Sequence, residues 1–511
     1  MTDREWHEAS DMRRSTMTLA LIMAVAAILR FWGLGAGIPH AVGVDEPEIV
    51  NRAVHMMKAG DFNPRFYDYP GLYLYVQVAV STLRFLAGAT VGTWSSLAQV
   101  GPEHFFLWGR AATAVLGTAT VLLVFHVGCR WGTRYALLAS GLMAVMPLHV
   151  RESHYVLTDV PATFFVTLTF LLTLRATESP HASTYAVAGA AAGLAAATKY
   201  PAGLVLILPL MAVWMTPATR PSRRLAALAV LGACIAAFLV TAPYTILDLP
   251  GFLNGYAKLA GSYSGTPPSE PGWSISFKHL RNAFSWPATL AFLGGIALAA
   301  FRAVRGQGRT RWMLAVVFPL LYFWVVSRQS LIFGRYLLLL VPFLCVLAAA
   351  AVVSGVSLLR RYEIPRAPRT ALIAALTIAA LLPPMLQSIA WNRTNSKVST
   401  VDLAYDWLKV NVPPDSVIVL ESSKLVLPPA SFHSRNVGQL RRQPYQAYVD
   451  EGTEYLVASS QSYGPYLDSP QKFPGEYKDY LEIFQQSREL ARFSPTKDTP
   501  GPELRIFKVR P

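Results

Sequence analysis

Apolar runs recur along the first three quarters of the chain, at about 17–38, 105–127, 135–150, 160–174, 184–198, 202–216, 225–243, 286–301, 312–326, 336–358 and 371–390. Runs of this length and polarity satisfy their backbone groups only as helices in a bilayer. Charged residues make up 15% of the 511 and hydrophobic residues 53%, against about a quarter charged in soluble domains. Disordered and fibrous classes are thereby excluded. The expected fold is an α-helical polytopic membrane protein of about eleven transmembrane helices.

The net charge of +15 is concentrated where it reports orientation. Loops 128–134, 217–224, 302–311 and 359–370 hold 13 Arg and one acid, Glu363. The positive-inside rule puts all four on the cytoplasmic side, with Arg13 and Arg14. A basic balance of this kind calls for no nucleic-acid partner. Even crossing numbers between these loops require that Tyr69–Gly88 not cross. It is expected as an interfacial or re-entrant helix on the outer side, because Gln77 and Arg84 would be resisted by lipid. Regions 39–104, 151–159, 244–285 and everything after 390 then lie outside. The first span, following Arg13 and Arg14, is too long for a signal-peptide core and reads as retained.

Residues 1–390 are expected as the transmembrane domain, and 391–511 as a small extracytoplasmic α/β domain. In the latter, a helix near Tyr405–Val410 and strands at Val417–Leu420, Glu454–Ala458 and Arg505–Val509 are read from apolar patterning and the Pro413-Pro414 turn. Seven tyrosines between 445 and 480 are either core packing or a sugar-stacking surface. Cys129, Cys234 and Cys345 show no zinc-ligand spacing and no disulfide framework.

The polar residues of interest fall on the outer side. Asp45 and Glu46 follow the first span and precede an amphipathic helix opened by Pro47, where first-turn charge is one explanation. Asp159 lies at the boundary of an apolar run, where an unpaired carboxylate would be costly. Acids brought together at such an interface suit a base with an electrostatic or metal-binding partner. Lys199, Arg335 and Arg110 occupy span ends, where they either snorkel to headgroups or hold phosphate oxygens. The outer segment GSYSGTPPSEPGW, flanked by Phe252, Tyr256, Trp273 and Phe277, reads as a lid or a plain connector. His279 is a candidate metal ligand there.

The order of Asp45-Glu46, Tyr69-Pro70-Gly71-Leu72, Arg110, the run Ser153–Pro161, Thr198–Pro201 and Gly334–Leu337 resembles the membrane-embedded C-type glycosyltransferases. Within them it is similar to the branch of protein O-mannosyltransferases and the lipid A aminoarabinose transferase, over roughly 15–345. That resemblance implies an inverting transfer of sugar from a polyprenyl-phosphate donor to a lipid, glycan or protein acceptor on the outer face of a prokaryotic plasma membrane. It implies Asp45 as general base oriented by Glu46, Asp159 arranging the site, and Lys199, Arg335 and Arg110 on the donor phosphate. Asp68 falls where some relatives place a metal-binding acid, so the resemblance allows a divalent ion without requiring one. The alternative is a lipid or sugar transporter or flippase, a class that often shows duplicated halves, which this chain lacks.

Overall fold

The computed structural model describes residues 3–43, 45–216, 222–265, 270–359, 366–421, 425–427 and 431–510. Its helices are α1 (Asp3–Phe31), α2 (Glu46–Ala59), α3 (Gly71–Thr90), α4 (Phe106–Gly128), α5 (Thr133–Val145), α6 (Pro147–Glu152), α7 (Asp159–Glu178) and α8 (Ala182–Thr198). There follow α9 (Ile207–Met215), α10 (Arg223–Thr241), α11 (Tyr244–Leu247), α12 (Leu249–Tyr263), α13 (Gly272–Val304), α14 (Arg309–Val326), α15 (Val341–Leu359), α16 (Arg366–Asn395) and α17 (Thr400–Asn411). Short 3₁₀ turns, Tyr200–Leu206 and Gly334–Leu340, lead into α9 and α15.

Two compact units emerge. The first comprises Met1–Trp32, Ile49–Val100 and Trp108–Asn392; the second comprises Gly33–Glu48, Gly101–Leu107 and Arg393–Pro511. Among the described residues nine helical stretches of the chain are long and apolar enough to cross a membrane. The expected spans at 135–150 and 184–198 correspond to α5 of 13 residues and α8 of 17, shorter than that length.

Close helix packing in the first unit depends on small residues. Gly189 and Gly193, four apart on α8, face Val230 and Cys234, four apart on α10, and a Cβ on either glycine would collide with a carbonyl oxygen of α10. Without a hydrophobic drive between helices in lipid, such close approach is what holds them. Gly295 on α13 meets the Leu347 carbonyl of α15 in the same way. The α13 helix bends at Ser285, whose φ is 62°, two residues before Pro287. Proline cannot donate into the helical ladder, which accounts for a break there.

Segment Gly71–Thr90 is a 20-residue helix long and apolar enough to span. The polar side chains that argue against lipid contact are shielded: Gln77 is buried, and the Arg84 guanidinium lies 4.5 Å from the Trp94 ring centroid and 5.4 Å from that of Trp108. A buried cation inside the bundle was not foreseen. Arg30 of α1 donates to the carbonyls of Met143 and Ala144 at 3.1 and 3.0 Å and meets His149 Nδ1 at 3.0 Å. It thereby caps the C-terminal end of α5, where carbonyls lack helical partners.

The second unit holds a sheet of β1 (Val417–Glu421), β2 (His433–Val437), β3 (Tyr455–Ser459), β4 (Arg488–Phe493) and β5 (Leu504–Lys508), in the order β2-β1-β3-β5-β4. The β1, β2 and β3 strands are parallel, and β5 runs antiparallel to β3 and β4. Ile418 and Leu420 face one core with Leu408 and Ile506, while Val419 faces the other with Tyr448 and Tyr480. That alternation is the period of a strand covered on both faces. Tyr445, Tyr448, Tyr455, Tyr463 and Tyr480 are buried, so these tyrosines are packing.

Candidate functional site

Helix ends build the site. Lys199 caps the C-terminal end of α8, and Asp159 opens α7. A cation at a helix C-terminus and an acid at an N-terminus each complement the helix dipole. The two side chains form an ion pair, 11% and 4% exposed. Lys199 Nζ also lies 4.7 Å from the Tyr336 ring centroid, and the Tyr336 hydroxyl meets that of Tyr263 at 2.8 Å. The lysine is therefore held by a carboxylate and an aromatic face together.

Around Lys199 opens a cavity of about 300 Å³, lined also by Asp68, Tyr69, Tyr200, Tyr256, Tyr263, Tyr322, Gln329 and Tyr336. Its walls come from the loop before α3, the end of α8, one face of α12, the end of α14 and the 3₁₀ turn before α15. Arg335 neighbours Tyr336 in that turn, its guanidinium 5.9 Å from the Tyr336 ring centroid. His279 of α13 packs against Gly334, where a Cβ would sit 3.2 Å from its Nδ1. Glu152 adds a second buried acid; Arg151 Nη2 lies 2.7 Å from its carboxylate. Burial raises the Glu152 carboxyl above the usual range, opposed by Arg151 and reinforced by the Asp159 charge.

Asp68 and Lys199 thus line one cavity, Asp159 joins it through its ion pair with Lys199, and Arg335 lies next to the lining Tyr336 without lining the cavity itself. Arg110 does not line the cavity; it is buried on α4, 5.7 Å from the Tyr155 ring centroid. Asp45 and Glu46 belong to the second unit. There His40 stacks on Tyr405 with centroids 3.3 Å apart, and Ala41 bridges to Leu425. Asp45 is half-buried in the turn before α2. Glu46 is fully buried, and its Oε2 accepts the Gly43 N–H at 2.6 Å. Among the described residues no three His, Cys, Asp or Glu side chains gather to hold a metal. No step is assigned to a metal. Residues 266–269 of the expected lid lie outside the described residues.

Two of the arginine-rich loops, 128–134 and 302–311, meet at the far end of α7, about 30 Å away by helical rise. There Arg130 pairs with Glu178, and Arg311 donates to the Arg130 carbonyl at 2.7 Å. Tyr322 and Glu152 escaped the sequence reading, whereas Tyr69, Tyr200, Tyr256, Tyr263 and Tyr336 lay in stretches it singled out without being proposed as site residues. Tyr322 sits in PLLYFWVV, indistinguishable from packing, and Glu152 beside Arg151 looks like a surface pair.

Residues 69–249 match the family model described as dolichyl-phosphate-mannose-protein mannosyltransferase. The fold matches oligosaccharyltransferase AglB of Archaeoglobus fulgidus, solved with an inhibitory peptide and a dolichol-phosphate, at a TM-score of 0.61 and 12% identity, covering 96% of this chain and 74% of that one. It also matches ArnT of Cupriavidus metallidurans in the apo state, at a TM-score of 0.59 and 16% identity, over 98% of this chain and 100% of that one. ArnT bound to undecaprenyl phosphate matches at 0.57 and 14%, over 96% and 99%. No curated protein matches significantly in sequence.

Proposed function

We propose, from a fold shared with AglB and ArnT and the match of residues 69–249 to the mannosyltransferase family model, that the chain is a C-type membrane glycosyltransferase that moves a sugar from a polyprenyl-phosphate carrier to an acceptor hydroxyl. The transfer takes place on the extracytoplasmic side of a prokaryotic plasma membrane, with inversion at the anomeric carbon. The acceptor is a lipid, glycan or protein. The observation that carries this reading is the cavity in which Asp68, the Lys199–Asp159 pair and tyrosine faces meet beside Arg335.

In this mechanism the acceptor oxygen attacks the anomeric carbon from the face opposite the phosphate. Its proton is taken by a carboxylate, the role the sequence resemblance gives Asp45, and the bond from carbon to phosphate oxygen breaks with the electron pair leaving on polyprenyl phosphate. Glu46 orders the turn that carries Asp45 through its bond to Gly43. A phosphate leaves well without a general acid, so the remaining demand is for positive charge at its oxygens. Lys199 in the cavity wall and Arg335 beside Tyr336 meet that demand. Because Asp159 and Tyr336 fix the ammonium beforehand, little reorganisation is needed as charge develops. The tyrosine rings offer flat apolar faces to the sugar and hydroxyls to its edges.

Purified protein in proteoliposomes, given undecaprenyl- and dolichyl-phosphate-linked pentoses and hexoses with membrane extract as acceptor, is expected to release free polyprenyl phosphate and label an acceptor. No release from any donor would overturn the reading.

A further inference from the structure

Asp248 lies outside the charged cluster yet joins two walls of the cavity. It is the N-cap of α12: Oδ1 accepts the Gly251 N–H at 3.2 Å, satisfying one of the donors a helix start leaves open. Gly251 is required for that approach, since a Cβ there would lie 2.5 Å from Asp248 Oδ2. The same Oδ2 accepts the Tyr67 hydroxyl at 2.7 Å and Asn63 Nδ2 at 3.1 Å. Tyr67 is buried and meets Phe252 of α12 edge-on, with ring centroids 5.8 Å apart. Gly255, one turn further along, leaves room for it: a Cβ there would lie 3.0 Å from Tyr67 Cβ. These donors, the Tyr67 hydroxyl first, hold the Asp248 carboxyl below the usual range.

Both partners of this clamp reach the cavity. Asp68 is the next residue after Tyr67, and the Tyr67 carbonyl accepts the hydroxyl of Tyr200 at 3.1 Å. Further along α12, Tyr256, Leu259, Ala260 and Tyr263 line another wall. We propose that Asp248 is a positioning residue for the transferase: by tying the loop that carries Asp68 to the start of α12, it sets the spacing of the two walls and hence the affinity for the donor. This rests on the transferase reading. Without the carboxylate, three donors lose their acceptor at once, and α12 is freed to move from the loop. Donor affinity then falls because the walls must be ordered at the moment of binding.

The test compares wild type with Asp248→Ala, Asp248→Asn and Tyr67→Phe in the proteoliposome transfer assay, with hydrogen exchange of residues 249–263 measured on the same preparations. Asp248→Ala should raise the donor KM about tenfold, the scale of one to two lost hydrogen bonds, with kcat within about threefold of wild type and faster exchange across α12. Asp248→Asn keeps a side-chain oxygen as acceptor and should restore KM to within about threefold, while Tyr67→Phe should give an intermediate KM. An unchanged KM in Asp248→Ala would overturn the proposal, as would a fall in kcat alone or unchanged protection of α12. If wild type moves no sugar from any donor, the transferase reading fails, and with it the positioning role.

Discussion

With Lys199 replaced by methionine, Asp159 stays buried without its counter-charge, and breaking such a pair from one side costs about 3–5 kcal/mol. Lys199→Met should therefore lower the thermal unfolding midpoint in detergent sharply, and adding Asp159→Leu should recover most of it. A different outcome is expected of Glu489, whose carboxyl Arg492 and Arg505 pull from 4.5 down to about 2. A depressed acid contributes stability that is full above its unfolded value and is lost as pH falls through the folded one. The midpoint difference between wild type and Glu489→Gln should thus hold steady from neutral pH to about 5 and shrink between about 4.5 and 2; a difference that persists at the acid end would contradict it. Lys199, Asp159 and Arg335 were legible in the sequence because a charge beside an apolar run needs a physical reason. Tyr200, Tyr263, Tyr322 and Tyr336 were not, because an aromatic residue in a span is ordinarily packing and only the fold turns these toward one cavity.

Among the elements, the strands show where legibility ends. β1, β3 and β5 are apolar and central, and all three were read from the sequence within a residue or two. β2, with the sequence HSRNV, and β4, with RELARF, lie at the sheet edges, where polar side chains meet solvent and the apolar pattern vanishes. The α8 to α10 contact was equally silent, since Gly189 and Gly193 are only two small residues in an alanine-rich run until their partners are known. Gly193→Val should force the helices apart at about 1–3 kcal/mol or more, read as a lower unfolding midpoint. Gly232→Val, with nothing within 4 Å of its added carbon, serves as the control. For α3, the even count of crossings puts the loop after it on the same side as Asp68. A cysteine at exposed Ser95 should then react with a membrane-impermeant maleimide in intact cells; protection until permeabilisation would show that α3 crosses.

For the whole molecule, the arginine loops 128–134 and 302–311 lie at the end of α7 opposite the cavity, as the positive-inside count requires if chemistry occurs outside. Exposed Cys129, beside Arg130, reports on that orientation: with its loop on the cytoplasmic side, it should stay unlabelled in intact cells while Thr499→Cys in the C-terminal unit is labelled. The overall class, the membrane reading and the order of charged positions were available from the sequence because they depend on hydropathy and spacing. The fastening of His40 and Ala41 within the second unit was not, because it joins residues nearly four hundred positions apart in sequence. The most direct test is transfer from radiolabelled polyprenyl-phosphate sugars in membranes containing wild type, Asp45→Asn or Lys199→Ala at matched expression. Label should reach an acceptor with wild type and fall by about a hundredfold or more in each variant, the scale of a lost base or lost charge stabilisation. Variants that transfer as well as wild type would contradict the assignment of the chemistry to these residues.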